Sequence, residues 1–317
     1  MKILHIENTA GVASIIAKAQ NEIGHEAHVL ETWRRKGSNI SFPHDFENYY
    51  EGPTIPFKML RTVMTTRPYD IIHLHGGIAR KRIDISIIKR IWKQPLVVHY
   101  HGSETRMGYG LHGQNLIDSK IVATPDLLDQ HPKATYIPIP QGRLPFSFSE
   151  RAPTHIIHAP TNRQLKGTDL ILNAIDILSR RTDGFVFELV ENVTHEEMLK
   201  KFRQAHIYID RVISEYKGQK IGTMGVAPLE AMSSGCAMVM HINPEFVNYY
   251  QGCPVINVEV SPVALADTLE RIIQDRGHLF SLATRGSEYV ANERNPLKIA
   301  RMIDSVYDRC FKKTRGG

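Results

Sequence analysis

Short β-branched runs alternate with amphipathic helical stretches along the whole chain, and this alternation most constrains its fold. It is typical of α/β proteins, in which helices connect the parallel strands of a sheet. The first half predicts strands at residues 2–6, 26–30, 70–73, 96–99, 121–123 and 135–137. The second half repeats the scheme with strands at 154–158, 185–190, 207–209, 237–240 and 255–258. The pattern therefore predicts two doubly wound sheets, each with its ligand-binding loops at the carboxyl ends of the strands.

The chain has 317 residues, which is longer than a domain with a single hydrophobic core usually is, so two domains are expected. Residues 138–153 are rich in proline, serine and glycine and are predicted to form the interdomain linker. The predicted domains are residues 1–145 and 146–295. Residues 296–317 are predicted to form a C-terminal helix, with a crossing back to the first domain as one option.

The amino-acid composition indicates the general class of protein. Hydrophobic residues make up 42% and charged residues 23%, as in ordinary globular proteins. No apolar run approaches the roughly 18 residues that span a bilayer, and no signal peptide precedes the first strand. The three cysteines, Cys236, Cys253 and Cys310, lie far apart and are predicted to be reduced thiols. These features predict a cytoplasmic protein.

The net charge of +6 and the pI of about 9.1 suit an anionic ligand, an anionic membrane surface or nucleic acid. The basic residues are not interleaved with stacking aromatic residues, which disfavours nucleic acid.

A basic loop follows the predicted strand at 154–158. Its sequence is HAPTNRQLKG, and it places Arg163 and Lys166 ahead of a predicted helix. Arginine offers a planar fork to phosphate oxygens and lysine a mobile point charge, so the two together suit a diphosphate. The alternative is an ordinary solvated basic loop.

A glycine-containing loop, GTMGVAPLEAMSSG, begins at residue 222. Its glycines permit close approach of the backbone to a ligand. Pro228 is predicted to be the first residue of a helix, whose free N–H groups suit an anion. Glu230 in the first turn suits a ribose diol; the alternative is a carboxylate that only stabilises the start of the helix.

Four histidines follow buried strands of the first half. His99 and His101 lie in HYHGSETR, and His73 and His75 lie in a similar position. A histidine at a strand end suits contact with a transferred group, and a core or capping histidine is the alternative. The four invite a metal hypothesis, but their spacings match no standard site, so no metal is expected.

The loop after the first strand, ENTAGVAS, has only Gly11 where a dinucleotide-binding fold has three glycines. This disfavours an NAD enzyme. Walker A and DxD sequences are also absent from the chain.

Taken together, these segments resemble the family 4 glycosyltransferases of the GT-B fold. RPYDIIHLHGG, VVHYHGSETR, VATPDLL, RQLKGTDLILNAIDIL and PLEAMSSGCAMVM fall in that family's order and spacing, and the opening glycine loop at Gly11 and Val12 also resembles it. The resemblance implies two Rossmann-like domains that face a central cleft. The first is expected to bind the acceptor and the second the nucleotide sugar.

The resemblance also implies roles for single residues. His101 matches the histidine near the donor sugar's C6 hydroxyl, at the reaction centre. Arg163 and Lys166 match the basic pair on the donor diphosphate, where they stabilise the leaving group. Glu230 matches the glutamate that holds the ribose.

The resemblance implies roles for further positions. Met224, Gly225 and Val226 match the loop whose backbone amides face the sugar, and the region around Val193 matches the nucleobase pocket. One position departs from the family, because Gly222 stands where a sugar-contacting glutamate is usual. The identity of the donor sugar is therefore left open. Asp210 and Glu215 are candidates to contact it in place of that glutamate.

The activity implied is transfer of a sugar, with retention of configuration, from a nucleoside-diphosphate donor. The donor is expected to be UDP-linked, and the acceptor a glycan, lipid-linked or small-molecule hydroxyl. No cofactor or metal is expected, because the basic pair takes over charge neutralisation. Two alternatives stay open. One is a degenerate GT-B protein that binds a nucleotide sugar or a partner without turnover, which Gly222 favours. The other is a GT-B sugar-nucleotide epimerase.

A basic amphipathic segment runs from Ala79 to Lys93. Six basic residues accompany the single acid Asp84, and isoleucines recur at helical spacing. Such a helix can lie on anionic lipid, which would suit a lipid-linked acceptor. The alternative is that the isoleucines cover the sheet and the charges are solvated.

Overall fold

A computed structural model describes residues 1–33, 42–78, 82–102, 112–149 and 153–315. Its internal contacts divide the chain into two units. Unit 1 comprises Met1–Pro140 together with Asn295–Gly317, and unit 2 comprises Gln141–Arg294. Each unit is built around its own parallel sheet.

Unit 1 has a sheet in which all the described strands are parallel. In chain order they are β1 Lys2–Ile6, β2 Glu26–Glu31, β3 Phe46–Glu47, β4 Ile71–His75, β5 Leu96–Tyr100, β6 Ser119–Val122 and β7 Thr135–Tyr136. Their order in the sheet is β3-β2-β1-β4-β5-β6-β7. The chain therefore winds outward from β1 in one direction and then from β4 in the other, as in a doubly wound fold.

Four α-helices belong to unit 1 among the described residues: α1 Val12–Glu22, α2 Ile55–Thr66, α3 Ile83–Ile91 and α10 Pro296–Arg315. Short 3₁₀ turns lie at Thr9–Gly11, Gln114–Leu116 and Pro125–Leu128. The C-terminal α10 packs against α1. His25 bonds Asp304 at 2.9 Å, and the Gln20 amide donates to the Tyr307 hydroxyl at 3.3 Å. These contacts attach the end of the chain to unit 1.

Unit 2 has a second parallel sheet of five described strands in the order β14-β13-β10-β8-β9. They are β8 Thr154–His158, β9 Phe185–Leu189, β10 Ile207–Ile209, β13 Ala237–Met240 and β14 Ile256–Asn257. A separate hairpin pairs β11 Glu215–Tyr216 with β12 Gln219–Lys220. Its two turn residues, Lys217 and Gly218, both have positive φ, as a tight hairpin turn requires.

Six α-helices of unit 2 lie in the described residues: α4 Arg163–Lys166, α5 Thr168–Ser179, α6 His195–Gln204, α7 Val226–Ser234, α8 Pro262–Gln274 and α9 Arg276–Glu293. A 3₁₀ segment spans Pro244–Tyr250. The core lies between sheet and helices, where Ile156, Ile207 and Val239 pack with Ile171 and Leu265. A capping box of Thr194 and Glu197 begins α6.

The predicted fold class, two Rossmann-like doubly wound parallel sheets, is confirmed. Strands 2–6, 154–158, 207–209 and 237–240 have the predicted bounds. The sequence pattern missed β3 and the β11–β12 hairpin, because these short strands contain no β-branched residue.

The segment predicted as a linker, 138–153, is not free over its described length. The Gln141 amide donates to the Arg294 carbonyl at 2.8 Å, and the Ser147 amide donates to the Ser234 carbonyl at 3.0 Å. Residues from Gln141 onward therefore belong to unit 2. Residues 150–152 lie outside the described chain. Over the described residues, no helix combines the length and the apolarity that a bilayer crossing requires.

Candidate functional site

The strand order in the sheet of unit 2 indicates where a ligand would bind. The chain runs from β8 to β9 on one side and then returns to place β10 on the other side of β8. The topological switch point therefore lies between β8 and β10. In open α/β sheets, ligands bind outside the carboxyl ends of the strands at this point.

Helix α4 is a single turn that holds both predicted diphosphate ligands, Arg163 and Lys166, beyond the end of β8. The Asn162 side chain caps it by accepting a hydrogen bond from the Leu165 amide at 2.9 Å. The turn ends at Gly167, whose φ is +69°. A side chain there would meet the Val212 carbonyl oxygen at 2.6 Å, so the chain can turn this close to the loop after β10 only with glycine.

Lys166 forms an ion pair with Asp210, across the switch point. Asp210 follows β10 directly and is fully buried, and its Oδ1 also accepts a hydrogen bond from Tyr208 at 3.1 Å. Burial alone would raise the pKa of Asp210, but Lys166 and Arg211 outweigh it, so the pKa of Asp210 lies below its usual value. The lysine is thus held at the switch point by a carboxylate whose ionised form is favoured.

Arg163 is half exposed and forms a bidentate pair with Glu191, a residue just past the end of β9. Its Nε donates to Glu191 Oε1 at 2.9 Å and its Nη2 to Oε2 at 2.5 Å. This bond lowers the pKa of Glu191 and raises that of Arg163. The fork that suits a phosphate is therefore occupied by a carboxylate in this structure.

The start of α7 differs from the prediction. The helix begins at Val226, with Gly225 as its N-cap, so Pro228 is its third residue, and Glu230, its fifth, lies beyond the first turn. The prediction that Glu230 lies in the first turn is therefore wrong. Among the described side chains, none caps this helix start. The amide of Met224, just before it, donates to the Tyr250 hydroxyl at 3.1 Å.

Glu230 is buried and bonds His195, the first residue of α6, with 2.6 Å between Oε1 and Nε2. This hydrogen bond raises the pKa of His195. Val193, the predicted marker of the nucleobase pocket, is half-buried two residues before His195. His195 therefore connects the predicted ribose ligand to the predicted base region, and no sequence motif pointed to it.

Gly222 is buried against the ring of Phe246, in the 3₁₀ segment after β13. A Cβ atom at residue 222 would overlap that ring, so this backbone has no room for a glutamate. Of the candidate substitutes, Asp210 is buried in its ion pair with Lys166, and Glu215 lies on β11 opposite Lys220.

Three predicted residues lie in unit 1. Gly11 has φ +76° and caps α1, and Val12 is a buried core residue. His101 is half-buried just past β5, with its Nε2 3.0 Å from Nδ1 of His75. The segment 103–106 that follows it lies outside the described residues.

His101 also ends a row of histidines. His5, His73, His75 and His99 project from the ends of β1, β4 and β5 and are almost completely buried. Burial lowers the pKa of His5 to about 4 and holds the pKa values of the other three well below their usual range. All four are therefore neutral imidazoles at physiological pH, which is the form that binds metals.

Both predicted phosphate ligands thus follow β8, at the carboxyl edge of the sheet. β8 lies between β10 and β9. Their carboxylate partners, Asp210 and Glu191, lie at the same edge. The position of Asp210 directly after a strand was the signal that could have paired it with Lys166.

Comparisons with known proteins bear on the fold. No protein-family model matches the chain, and no curated protein does. Solved structures do match over nearly the full length. HepE from Anabaena, solved with UDP and glucose, has a TM-score of 0.69 at 13% identity, over 97% of this chain and 99% of that one.

Two further structures are similar in fold. A glycosyltransferase from Rickettsia africae has a TM-score of 0.64 at 11% identity, over 98% of each chain. A putative UDP-N-acetylglucosamine 2-epimerase from Listeria monocytogenes has a TM-score of 0.59 at 11% identity, over 98% of this chain and 97% of that one. At these identities the likeness shows the fold, which is that of the GT-B enzymes.

Proposed function

We propose that the protein is a glycosyltransferase whose unit 2 binds a nucleoside-diphosphate sugar. The single observation that carries this is the presence of Arg163 and Lys166 on one short turn at the switch point of a doubly wound sheet. Two similar folds, HepE and the Rickettsia enzyme, are a UDP-binding protein and a glycosyltransferase by name. UDP is therefore the first donor nucleotide to test.

The diphosphate is proposed to lie against α4. Lys166 is fixed by Asp210, so it offers its remaining N–H bonds without a further loss of side-chain freedom. Arg163 exchanges its bidentate carboxylate partner, Glu191, for phosphate oxygens. As the bond to the sugar breaks, negative charge grows on the departing phosphate, and these two cations stabilise it there.

The nucleoside is proposed to lie between α6 and α7, two helices that pack against each other. Glu230 accepts from the ribose hydroxyls, and His195 holds its carboxylate in position. The base is then expected near Val193. The uncapped start of α7, at Gly225 and Val226, offers free backbone N–H groups to the sugar or the phosphate.

His101 is proposed to contact the transferred sugar, and the reaction is proposed to retain configuration without a bound metal at the donor. The acceptor is proposed to be a hydroxyl of a glycan, a lipid-linked sugar or a small molecule.

Donor turnover tests the assignment. We expect Arg163→Ala to reduce sugar release or transfer from a UDP-sugar panel by at least about tenfold, the scale of one lost charged hydrogen bond. Arg180→Ala is the matched control, because Arg180 is also an exposed arginine of unit 2 paired with one carboxylate, Asp176. Equal turnover in the two variants would contradict the site. Analysis of the products by NMR without acceptor separates transfer from epimerisation.

A second function is favoured by one observation, the filling of the usual sugar-contacting position by Phe246. It is a GT-B protein that binds a nucleotide sugar or a partner without turnover. UDP binding that depends on Arg163, without turnover on any donor and acceptor, would support it over the enzyme.

We also propose that unit 1 contacts an anionic membrane surface. On α3, Ile85 and Ile88 are buried, whereas Ile83 and Ile91 are exposed. The neighbouring α2 exposes Phe57, Leu60 and Met64. Exposed arginines and lysines accompany them at Arg61, Arg67, Arg90 and Lys93. An apolar surface bordered by basic residues is typical of interfacial helices. Residues 79–81, the start of the predicted segment, lie outside the described chain.

Sedimentation with vesicles tests this contact. We expect binding to vesicles that contain anionic lipid, with a large loss in a Phe57→Ser/Leu60→Ser double variant. Val186→Ser is the control, because Val186 is an exposed apolar residue of unit 2. Equal binding by the double variant and the control would contradict the contact.

A further inference from the structure

Five histidines converge at the switch point of unit 1, between β1 and β4. The strand register places His5 beside His73 and His75 beside His99. Alternate residues of a strand face the same side, so His73 and His75 project together from β4. Four of the five are at most 2% exposed. This is an unusual concentration of metal-binding side chains for a core, and the proposed sugar transfer uses only His101 of the five.

We propose that His5, His73 and His75 bind a divalent transition-metal ion, with Zn²⁺ the best fit. One ring nitrogen from each lies within 4.8 Å of the others. Two nitrogens bound at about 2.0–2.1 Å to a tetrahedral zinc ion lie roughly 3.3 Å apart. Small side-chain rotations would therefore have to bring the wider pairs together and separate His5 Nδ1 from His75 Nε2, which are 2.9 Å apart. Three imidazoles leave one coordination position open.

The hydrogen bonds around the three histidines support this assignment. Metal-binding histidines almost always donate their second ring N–H to an outer partner, which fixes the tautomer. His5 Nε2 lies 2.7 Å from the Gln20 Oε1 acceptor, and His73 Nδ1 lies 2.6 Å from the Tyr307 hydroxyl. His75 Nδ1 lies 3.0 Å from Nε2 of His101. All three outer partners are thus present.

When the three outer nitrogens donate, His5 Nδ1, His73 Nε2 and His75 Nε2 are the nitrogens left to bind a metal. His5 Nδ1 and His75 Nε2 are hydrogen-bonded to each other at 2.9 Å, and a bound metal ion would replace the proton that they share. Within the described residues, His73 Nε2 is buried without a hydrogen-bond partner. A buried unsatisfied polar atom is costly, and a metal ion satisfies it.

His99 is a further nitrogen donor at this place. Its ring centroid is 5.4 Å from those of both His73 and His75, and neither of its ring nitrogens has a hydrogen-bond partner among the described residues. It also forms a second group with His75 and His101 whose ring nitrogens lie within 4.8 Å of one another. The ion would tie β1 and β4 to α1 through Gln20 and to α10 through Tyr307, so its expected effect is to stabilise unit 1.

Metal titration tests the proposal without any sugar nucleotide, so its failure is distinct from failure of the donor site. The untagged full chain is stripped with a chelator and titrated with Co²⁺, followed by its visible d–d absorption, and then with Zn²⁺ in competition. We expect one equivalent to bind and to raise the melting temperature. His73→Asn should abolish binding.

Tyr307→Phe removes only the outer hydroxyl, keeps the ring, and should lower the Zn²⁺ affinity about 10–100-fold. His28→Asn is the control, because His28 lies in the same unit and bonds Tyr69 instead of the cluster; its affinity should equal that of the wild type. The proposal is overturned if the wild type binds no stoichiometric Zn²⁺, or if folded His73→Asn and Tyr307→Phe both bind it as tightly as His28→Asn.

Discussion

The ring of Phe246 fills the space into which a side chain at Gly222 would project. Both residues are buried, and the Tyr250 hydroxyl also fixes this backbone by donating to the Gly222 carbonyl at 2.5 Å. The glycine at residue 222, where the family pattern has a glutamate, is therefore matched by the ring of Phe246. Where the family that the sequence resembles has a sugar-contacting carboxylate, this chain has an aromatic ring.

Gly222→Ala should destabilise the protein, because the new methyl group overlaps Phe246 in a packed region. We expect a loss of about 1–3 kcal/mol in the free energy of unfolding, measured by urea denaturation. Gly142→Ala is the control, since a Cβ there meets nothing within 4 Å.

Phe246→Ala introduced together with Gly222→Ala should cost less than the sum of the two single changes, because the ring that causes the overlap is gone. Additive losses would show that the two residues do not compete for space.

Glu191→Gln should strengthen donor binding if the diphosphate replaces Glu191 on the Arg163 guanidinium, as proposed. Removing its charge also removes a carboxylate that would repel the phosphates. We expect a several-fold lower dissociation constant for UDP by calorimetry. Glu188→Gln is the control, since Glu188 pairs with Lys201 instead. If Glu191→Gln weakens UDP binding, Glu191 helps to hold the donor and is not a competitor.

Asp210→Asn should be strongly destabilising. Asp210 is fully buried, and its removal leaves the Lys166 ammonium without its compensating charge. Breaking a buried ion pair on one side costs about 3–5 kcal/mol. Asp176→Asn, at the exposed pair with Arg180, should change the free energy of unfolding by less than about 1 kcal/mol. Similar small losses in both variants would show that the Lys166–Asp210 pair is not a stability element.

The bond between His195 and Glu230 should make stability depend on pH. Because this bond raises the pKa of His195 in the folded state, its stabilising effect is complete below the unfolded pKa of about 6.5. The effect is lost as the pH rises through the higher folded pKa. The melting temperature of His195→Asn should thus fall furthest below that of the wild type in acid and approach it in alkali. A difference that is the same at every pH would contradict the ion pair.

The sequence predicted the two sheets well because buried parallel strands leave continuous β-branched runs, as in strands 154–158 and 237–240. It placed Arg163 and Lys166 correctly beyond β8 for the same reason. Local pattern was a weaker guide at α7, where Pro228 suggested a helix start two residues too late. Proline is tolerated throughout the first turn, so it marks that turn without fixing its first residue.

Partners from distant parts of the chain could not be predicted. Glu191 and His195 carry no motif, and they reach Arg163 and Glu230 only because of the sheet order and the packing of α6 on α7. The grouping of the histidines could not be predicted for the same reason. His5 lies 68 residues before His73 in the sequence, and only the pairing of β1 with β4 brings them together. Spacing along the chain therefore gave no sign of their convergence.

UDP binding by calorimetry is the most direct measurement of whether Arg163 and Lys166 bind the diphosphate of a nucleotide donor. We predict that the wild type and Arg180→Ala bind UDP equally, whereas Arg163→Ala binds it at least about tenfold more weakly. Lys166→Ala, compared at a temperature where it remains folded, should show a similar or larger loss. UDP affinity equal to that of the wild type in both Arg163→Ala and Lys166→Ala would contradict the assignment of these two residues to the diphosphate.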